Sequence, residues 1–427
     1  MARWLVFGIL GNLLLGLSGA APVEEKRSVA VASAKHTFSL NRQTVAKPGG
    51  TLGSRFRNLR ATRGTAEPQP AGLDTAMPAN MQVEYLLNVT VAAHNYSLII
   101  DTGSSDTWFV KSGFECVDAY QRIVPLKMCR FGPEFQGDFP GGQIENQTFS
   151  VSYGNIGSGP YLDGEYGYAD ITVAGVTIPK QQIALATSGY WSGDGISTGI
   201  LGLGMPGLTE AFVGNGSFTN AISYSPVVTT MSSASKMPAL FSLGLSRNPS
   251  ESFLALGGVP ENVKVGEWTS APLLQWEKRL GGYEYFWYTI KTDQMVWNSS
   301  TISQRTARSP TVIVDSGTTL NYLPFDIADA INNAFEPKAV YDPTEGAYYT
   351  DCNAKAPSFG IEIGGQMLWT DPSSMILPQL KSASGKCATG ILDTNQEPYI
   401  LGDVFMQGLV AVFDIGDKKE MRFAKRL

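Results

Sequence analysis

An all-β protein built as two homologous lobes is the architecture this sequence predicts, and three observations carry the expectation. Glycine is abundant, at 46 of 427 residues, while charged residues make up only 16%, a balance that favours strands and turns over helical bundles. A short β-branched run ending in Asp, a hydroxyl residue, Gly and a second hydroxyl residue occurs twice. The copies are Leu98-Ile99-Ile100-Asp101-Thr102-Gly103-Ser104-Ser105 and Val312-Ile313-Val314-Asp315-Ser316-Gly317-Thr318-Thr319, 214 positions apart. Such uninterrupted apolar runs suit strands buried on both faces, here delivering a carboxylate onto a tight loop. Each Asp is followed at a similar distance by an apolar-apolar-Gly element: Ile200-Leu201-Gly202 begins 99 residues after Asp101 and Ile400-Leu401-Gly402 begins 85 after Asp315. One Asp-Thr-Gly is an ordinary turn and one apolar pair before Gly an ordinary strand end. Two copies of both, in the same order, argue for duplicated lobes.

Taken from the start, the chain divides into four parts. Arg3, an apolar run over 4–17 and the small residues Ser18-Gly19-Ala20 read as a secretory signal at 1–20, so the protein is expected to be secreted. The run is shorter than the ~20 residues of a spanning helix, and the charged end at 420–427 offers no tail for a lipid anchor. No membrane anchor is therefore expected. Residues 21–77 read as a propeptide. Between 21 and 64 nine Lys or Arg face two Glu, a charge of +7, whereas the chain beyond carries −14. A basic segment ahead of an acidic body suggests a removable strap, with Lys35 or Arg42 reaching ionised carboxylates and Lys26-Arg27 open to a dibasic-processing protease. A Pro/Ala/Gly-rich linker follows at 66–79.

An N-terminal lobe is expected over 78–246, with strands at 84–91, 147–153, 165–173 and 182–187, and with Asn95-Tyr96 turning the chain into the Asp101 strand. A C-terminal lobe is expected over 247–427. Its best helix is 325–335, where Ile327, Ala330, Ile331 and Phe335 recur at helical spacing after Pro324.

Four cysteines, Cys116, Cys129, Cys352 and Cys387, fall two early and two late. In an exported chain they read as disulfides, and pairing Cys116 with Cys129 and Cys352 with Cys387 keeps each bridge within one half. With no C-x-x-C and only His36 and His94, no metal and no cofactor are expected. Sequons at Asn88, Asn95, Asn146, Asn215 and Asn298 suit a glycosylated, exported protein. The acidic body does not suit nucleic acid. A Ser-His-Asp hydrolase is excluded, since His36 lies in the expected propeptide and His94 has no Gly-x-Ser-x-Gly partner.

These elements together resemble the pepsin-like aspartic proteases, most closely secreted fungal members. The resemblance covers roughly residues 80–425 and rests on both Asp loops, both Ile-Leu-Gly elements, Trp108, Tyr153-Gly154, Phe241-Ser242-Leu243, Leu256-Gly257-Gly258 and Gly402-Asp403-Val404-Phe405. It implies a bilobal fold of two β-barrel-like lobes with a cleft between them, polypeptide substrates, a monomer, and one catalytic Asp from each lobe, Asp101 and Asp315. Ser104 and Thr318 would then bond the outer carboxylate oxygens, and Gly103 and Gly317 would admit backbone N–H groups. Thr102 and Ser316 would interlock beneath the pair, Ser standing where Thr is commoner. Tyr153 and Gly154 match the flap and Trp108 the flap tyrosine's partner, although the run 155–161 is longer than the usual compact turn.

The chemistry fits two carboxylates that share one proton, because adjacent like charges cannot both ionise cheaply. One can act as general base on a water while the other donates to the peptide carbonyl oxygen. The propeptide would cover this pair until acid pH. Two other classes use the same features: a two-carboxylate glycoside hydrolase, and a catalytically silent binding or inhibitor protein on the same fold. The duplicated loops favour a protease over the first, and retention of both Asp with their neighbouring hydroxyls argues against the second.

Overall fold

The computed structural model describes residues 31–44, 83–153, 159–214, 220–235, 237–277, 282–395 and 397–427. The expected signal, the linker, most of the expected propeptide, Gly154 and Asn215 lie outside the described residues. The described residues are mostly strand with few helices, in chain order β1 (His36–Ser39), β2 (Asn41–Thr44), β3 (Val83–Val91), β4 (His94–Asp101), β5 (Thr107–Cys116), β6 (Gln143–Ser152), β7 (Tyr161–Val173), β8 (Val176–Tyr190) and β9 (Gly199–Gly202), with further strands beyond.

From β2 onward these strands lie in one ten-stranded sheet in the order β2-β3-β4-β9-β5-β8-β7-β6, extended by Ala211–Val213 and Ala221–Ile222. The end of β3 also pairs with β7, Thr90 opposite Thr172, so the sheet curls back on itself as a barrel does. The decisive local feature is β9. It runs parallel to β4, with Asp101 opposite Gly202, and antiparallel to β5, so the Ile-Leu-Gly element is wedged between the Asp strand and the strand after it. Glycine is required there: a Cβ on Gly202 would sit 2.7 Å from the backbone nitrogen of Asp106.

The second half repeats the device. Thr311–Val314 runs parallel to Tyr399–Leu401, with Val314 opposite Leu401, and Asn321–Pro324 lies against the other side of Tyr399–Leu401. A Cβ on Gly402 would collide with the carbonyl oxygens of Thr318 and Leu320. Both Asp strands are buried on both faces: Leu98, Ile100, Val312 and Val314 have no exposed surface, and Ile99 and Ile313 almost none.

A third, six-stranded sheet joins the halves. It runs β1, Phe253–Leu256, Leu240–Gly244, Leu409–Asp414, Glu420–Arg426, Val265–Pro272. Residues 245–252 connect two neighbours of this sheet, so the position between 246 and 247 falls within an element common to both halves.

Two sequence expectations meet different local structure, and one helix was not expected. The turn before the Asp101 strand is Ala92-Ala93, both with positive φ (49° and 64°), closing a two-residue hairpin with Val91 opposite His94; Asn95 and Tyr96 already belong to β4. The expected strands are longer than their apolar cores, as in β8, which extends through Pro179, Lys180 and Gln181. A helix absent from the expectations, Val227–Ser235, buries Val227, Val228 and Met231. The expected helix at 325–335 is present as Phe325–Asn333, with Ile331 buried.

Candidate active site

Asp101 is the last residue of β4, and Asp315 directly follows the strand Thr311–Val314. The two loops that follow grip each other. The Thr102 N–H donates to Ser316 Oγ (3.2 Å) and the Ser316 N–H to Thr102 Oγ1 (2.9 Å), while each hydroxyl donates to the carbonyl before the other Asp: Thr102 Oγ1 to Val314 O and Ser316 Oγ to Ile100 O, both 3.1 Å. The Ser316 hydroxyl therefore makes the same two bonds on its side, one accepted and one donated, that the Thr102 hydroxyl makes on the other.

The carboxylates receive matching donors. Asp101 accepts from the Gly103 N–H (2.8 Å) and from Ser104 Oγ; Asp315 accepts from the Gly317 N–H (2.9 Å) and Thr318 Oγ1 (2.5 Å). Each glycine also leaves room for the opposite carboxyl group. A Cβ on Gly103 would lie 2.7 Å from Asp315 Cγ, and one on Gly317 would overlap the Asp101 carboxylate. The sequence-predicted loop residues thus converge on one point from both halves. Asp101 and Asp315 keep 7% and 8% of their surface.

Burial first, and the Asp315 charge second, push Asp101 up to about 8, against the pull of the Ser104 hydroxyl and the Gly103 N–H.

A hydrogen-bonded chain leads out from the pair. Trp108 Nε1 donates to the Tyr153 hydroxyl (2.7 Å), which also bonds Ser104, itself a donor to Asp101. Burial, then the Asp101 charge, raise the Tyr153 phenol well above its ordinary value, so it stays a proton donor. Tyr153 ends the β6 arm of a hairpin, its N–H donating to Pro160 O (2.8 Å). Its ring meets Trp191 edge-on at 5.5 Å, and Trp191 packs on Trp108 (5.3 Å) and stacks on Phe131 (6.0 Å).

Several acids here have no role that the sequence motifs assign. Asp106 is buried and accepts from the Tyr166 and Tyr224 hydroxyls (2.7 Å each) and the Glu210 N–H (2.9 Å). Burial, then Asp106, lifts Glu210 to about 8. Asp403 is fully buried, and no donor among the described residues reaches either carboxylate oxygen. Its carboxyl is raised well above its ordinary value by burial and then by Asp315, and is pulled back by Arg42. Their partners lie 60 to 118 positions away for Asp106, beyond the reach of any local pattern.

The basic segment's contacts differ from those its charge suggested. Lys35 is exposed, and Arg42 bonds the Tyr85 hydroxyl and faces Asp403 rather than Asp101. The segment is held by pairing: β1 lies along Phe253–Leu256, β2 along β3, and Leu40 between them is buried.

Disulfides join Cys116 to Cys129 (Cα–Cα 6.0 Å) and Cys352 to Cys387 (4.9 Å). Asn88, Asn95 and Asn146 are exposed, and Asn298 is half-buried. Among the described residues no group of three His, Cys, Asp or Glu could hold a metal, and no helix is long and apolar enough to cross a membrane.

A family model described as eukaryotic aspartyl protease matches residues 84–426. A probable aspartic-type endopeptidase of Aspergillus fumigatus is 34% identical over 354 residues, covering 80% of this chain and 78% of that protein. An acid protease of Saccharomycopsis fibuligera is 25% identical with 96% of each chain covered, and mouse gastricsin 26% identical with 80% and 81% covered. The crystal structure of an aspartic proteinase from Irpex lacteus superposes with a TM-score of 0.61 at 24% identity, covering 80% of this chain and 94% of that one.

Proposed function

The chain belongs to the eukaryotic aspartyl protease family and is an aspartic-type endopeptidase, and on that premise we propose that Asp101 and Asp315 are its catalytic dyad, in an enzyme exported as a zymogen and active at acid pH. The observation that carries the reading is the convergence of two carboxylates, one on each interlocked loop, with a shared proton that burial and mutual repulsion retain.

With one proton on the pair, the ionised member removes a proton from a water as its oxygen attacks the scissile carbonyl carbon, and the protonated member donates to the carbonyl oxygen. The tetrahedral diol collapses as the member now protonated gives its proton to the departing amine nitrogen, the C–N bond breaks, and the ionised member takes a proton from a diol hydroxyl as the carbonyl re-forms, so the pair again holds one proton. No bond to the protein forms. Ser104 and Thr318 fix the outer oxygens, so the inner ones face the reactant with little reorganisation. Tyr153 closes over the peptide from its hairpin with Trp108 behind it, and the aromatic surface of Trp191 and Phe131 favours apolar or aromatic residues flanking the cut.

The basic segment acts as the propeptide, the 1–20 segment as the export signal, and the exposed sequons as glycan sites. The test is cleavage profiling of a mixed peptide library at several acidic pH values, with a statine-type transition-state analogue as control. Cuts between apolar or aromatic residues, blocked by the analogue, are expected. A profile dominated by charged residues on both sides would overturn the specificity, and cleavage indifferent to the analogue would overturn the dyad.

A further inference from the structure

Glu84 in β3 and Asp194 in the 191–198 connection between β8 and β9 are buried, at 6% and 8% exposure, and their carboxyl groups hydrogen-bond each other. Glu84 Oε2 and Asp194 Oδ2 are fully buried, and no N–H or hydroxyl among the described residues reaches either. Two carboxylates have only lone pairs to offer, so a bond between them requires a proton. The other Asp194 oxygen already accepts from the Ile196 N–H (2.8 Å), the Ser197 N–H (2.8 Å) and Ser197 Oγ (2.9 Å). The proton therefore sits on Glu84. The other charges facing Glu84 are Arg130, which favours its ionised form and donates to Asp194 O (3.4 Å), and Asp403, whose charge opposes ionisation.

The connection is fastened on its other side by the Gly193 N–H to Cys129 O (2.9 Å), the Gly195 N–H to Arg130 O (2.8 Å), the Gly132 N–H to Ser197 O (2.8 Å) and the Thr198 hydroxyl to Pro133 O (2.8 Å). It carries Trp191, whose ring meets both Tyr153 and Trp108.

We propose that Glu84 and Asp194 are positioning residues for the flap: their shared proton ties the 191–198 connection to β3 and, through Trp191, holds Tyr153 where it closes on substrate. This rests on the reading of Tyr153 as a substrate-facing flap residue. Burial first, then the Asp194 charge, raise Glu84 well above the ordinary carboxylate value, so the folded protein binds this proton more tightly than the unfolded chain. The tie is fully present below the unfolded-chain value and is lost as pH rises through the folded one. Loss affects closure on substrate rather than the bond-breaking step. KM should rise by about tenfold for each pH unit above the pair's apparent pKa, as for a form competent only when protonated, while kcat follows the dyad.

Glu84→Gln keeps the size and offers an N–H to Asp194 at every pH, and Asp194→Asn offers one to Glu84. Hydrogen exchange over 191–198, corrected for intrinsic rate, is measured from pH 4 to 8 in an Asp101→Asn background, where Asp101 does not titrate. Protection should fall with pH in that background and stay level when either change is added. In the active enzyme both changes should flatten the rise of KM while leaving the pH dependence of kcat in place. The same loss of protection with and without them would overturn the proposal. Protection that responds while KM does not would overturn the link to Tyr153, and leave the dyad assignment standing.

Discussion

Asp101 and Asp315 sit in near-identical settings, each with a backbone N–H on one oxygen, a hydroxyl on the other and the opposite glycine making room. The N–H and hydroxyl contacts were legible in the sequence, because donors and acceptor are within three positions of each other and the pattern is written twice, whereas the room each glycine leaves for the opposite carboxyl comes from the fold. Asp106, Asp403, Glu84 and Asp194 were not legible, because their meaning comes from partners folded against them from distant parts of the chain. The raised Asp101 value has a stability consequence whose sign is fixed. Burial and Asp315 raise it from 3.8 to about 8, so the folded state holds a proton the unfolded chain releases. That contribution is complete below about pH 4 and is lost as pH rises through about 8. Thermal unfolding of Asp101→Asn should therefore show a smaller drop in Tm between pH 4 and 8 than wild type. An equal drop in both would mean that Asp101 gives up no proton in that window.

At the scale of elements, the buried Asp strands and the glycine-bearing strands beside them follow from composition, since β-branched runs bounded by turn residues have few other uses. The misses have physical causes. Ala92-Ala93 forms the hairpin turn although alanine carries a Cβ penalty at positive φ, so residue preference alone points to Asn95 instead. The helix Val227–Ser235 is rich in Val, Thr and Ser, which are weak helix formers; it exists because Val227, Val228 and Met231 find a buried face against β8. The hairpin offers a test. Ala93→Gly removes the left-handed penalty at an exposed site and should stabilise the protein by about 1 kcal/mol. Urea unfolding that showed no gain, or a loss, would mean that residue 93 is not held at positive φ.

For the whole molecule, the six-stranded sheet is the feature local patterns conceal, because it draws β1 from the basic segment and its other strands from positions 240 to 426. Acidification would protonate carboxylates facing the strap but would leave β1 and β2 paired and Leu40 buried, so release needs a cut as well as a change of charge. Shifted to acid pH, the wild-type precursor should shorten to a new N-terminus between 64 and 80, and the Asp101→Asn precursor should stay whole. Shortening of that variant alone to the same N-terminus would rule out self-processing. The most direct test of the dyad is turnover of Asp101→Asn and Asp315→Asn on a peptide that wild type cleaves at acid pH, with folding verified by near-UV circular dichroism. Each folded variant should lose kcat by about three orders of magnitude or more. Turnover within a few-fold of wild type in either one would contradict the assignment of the two aspartates.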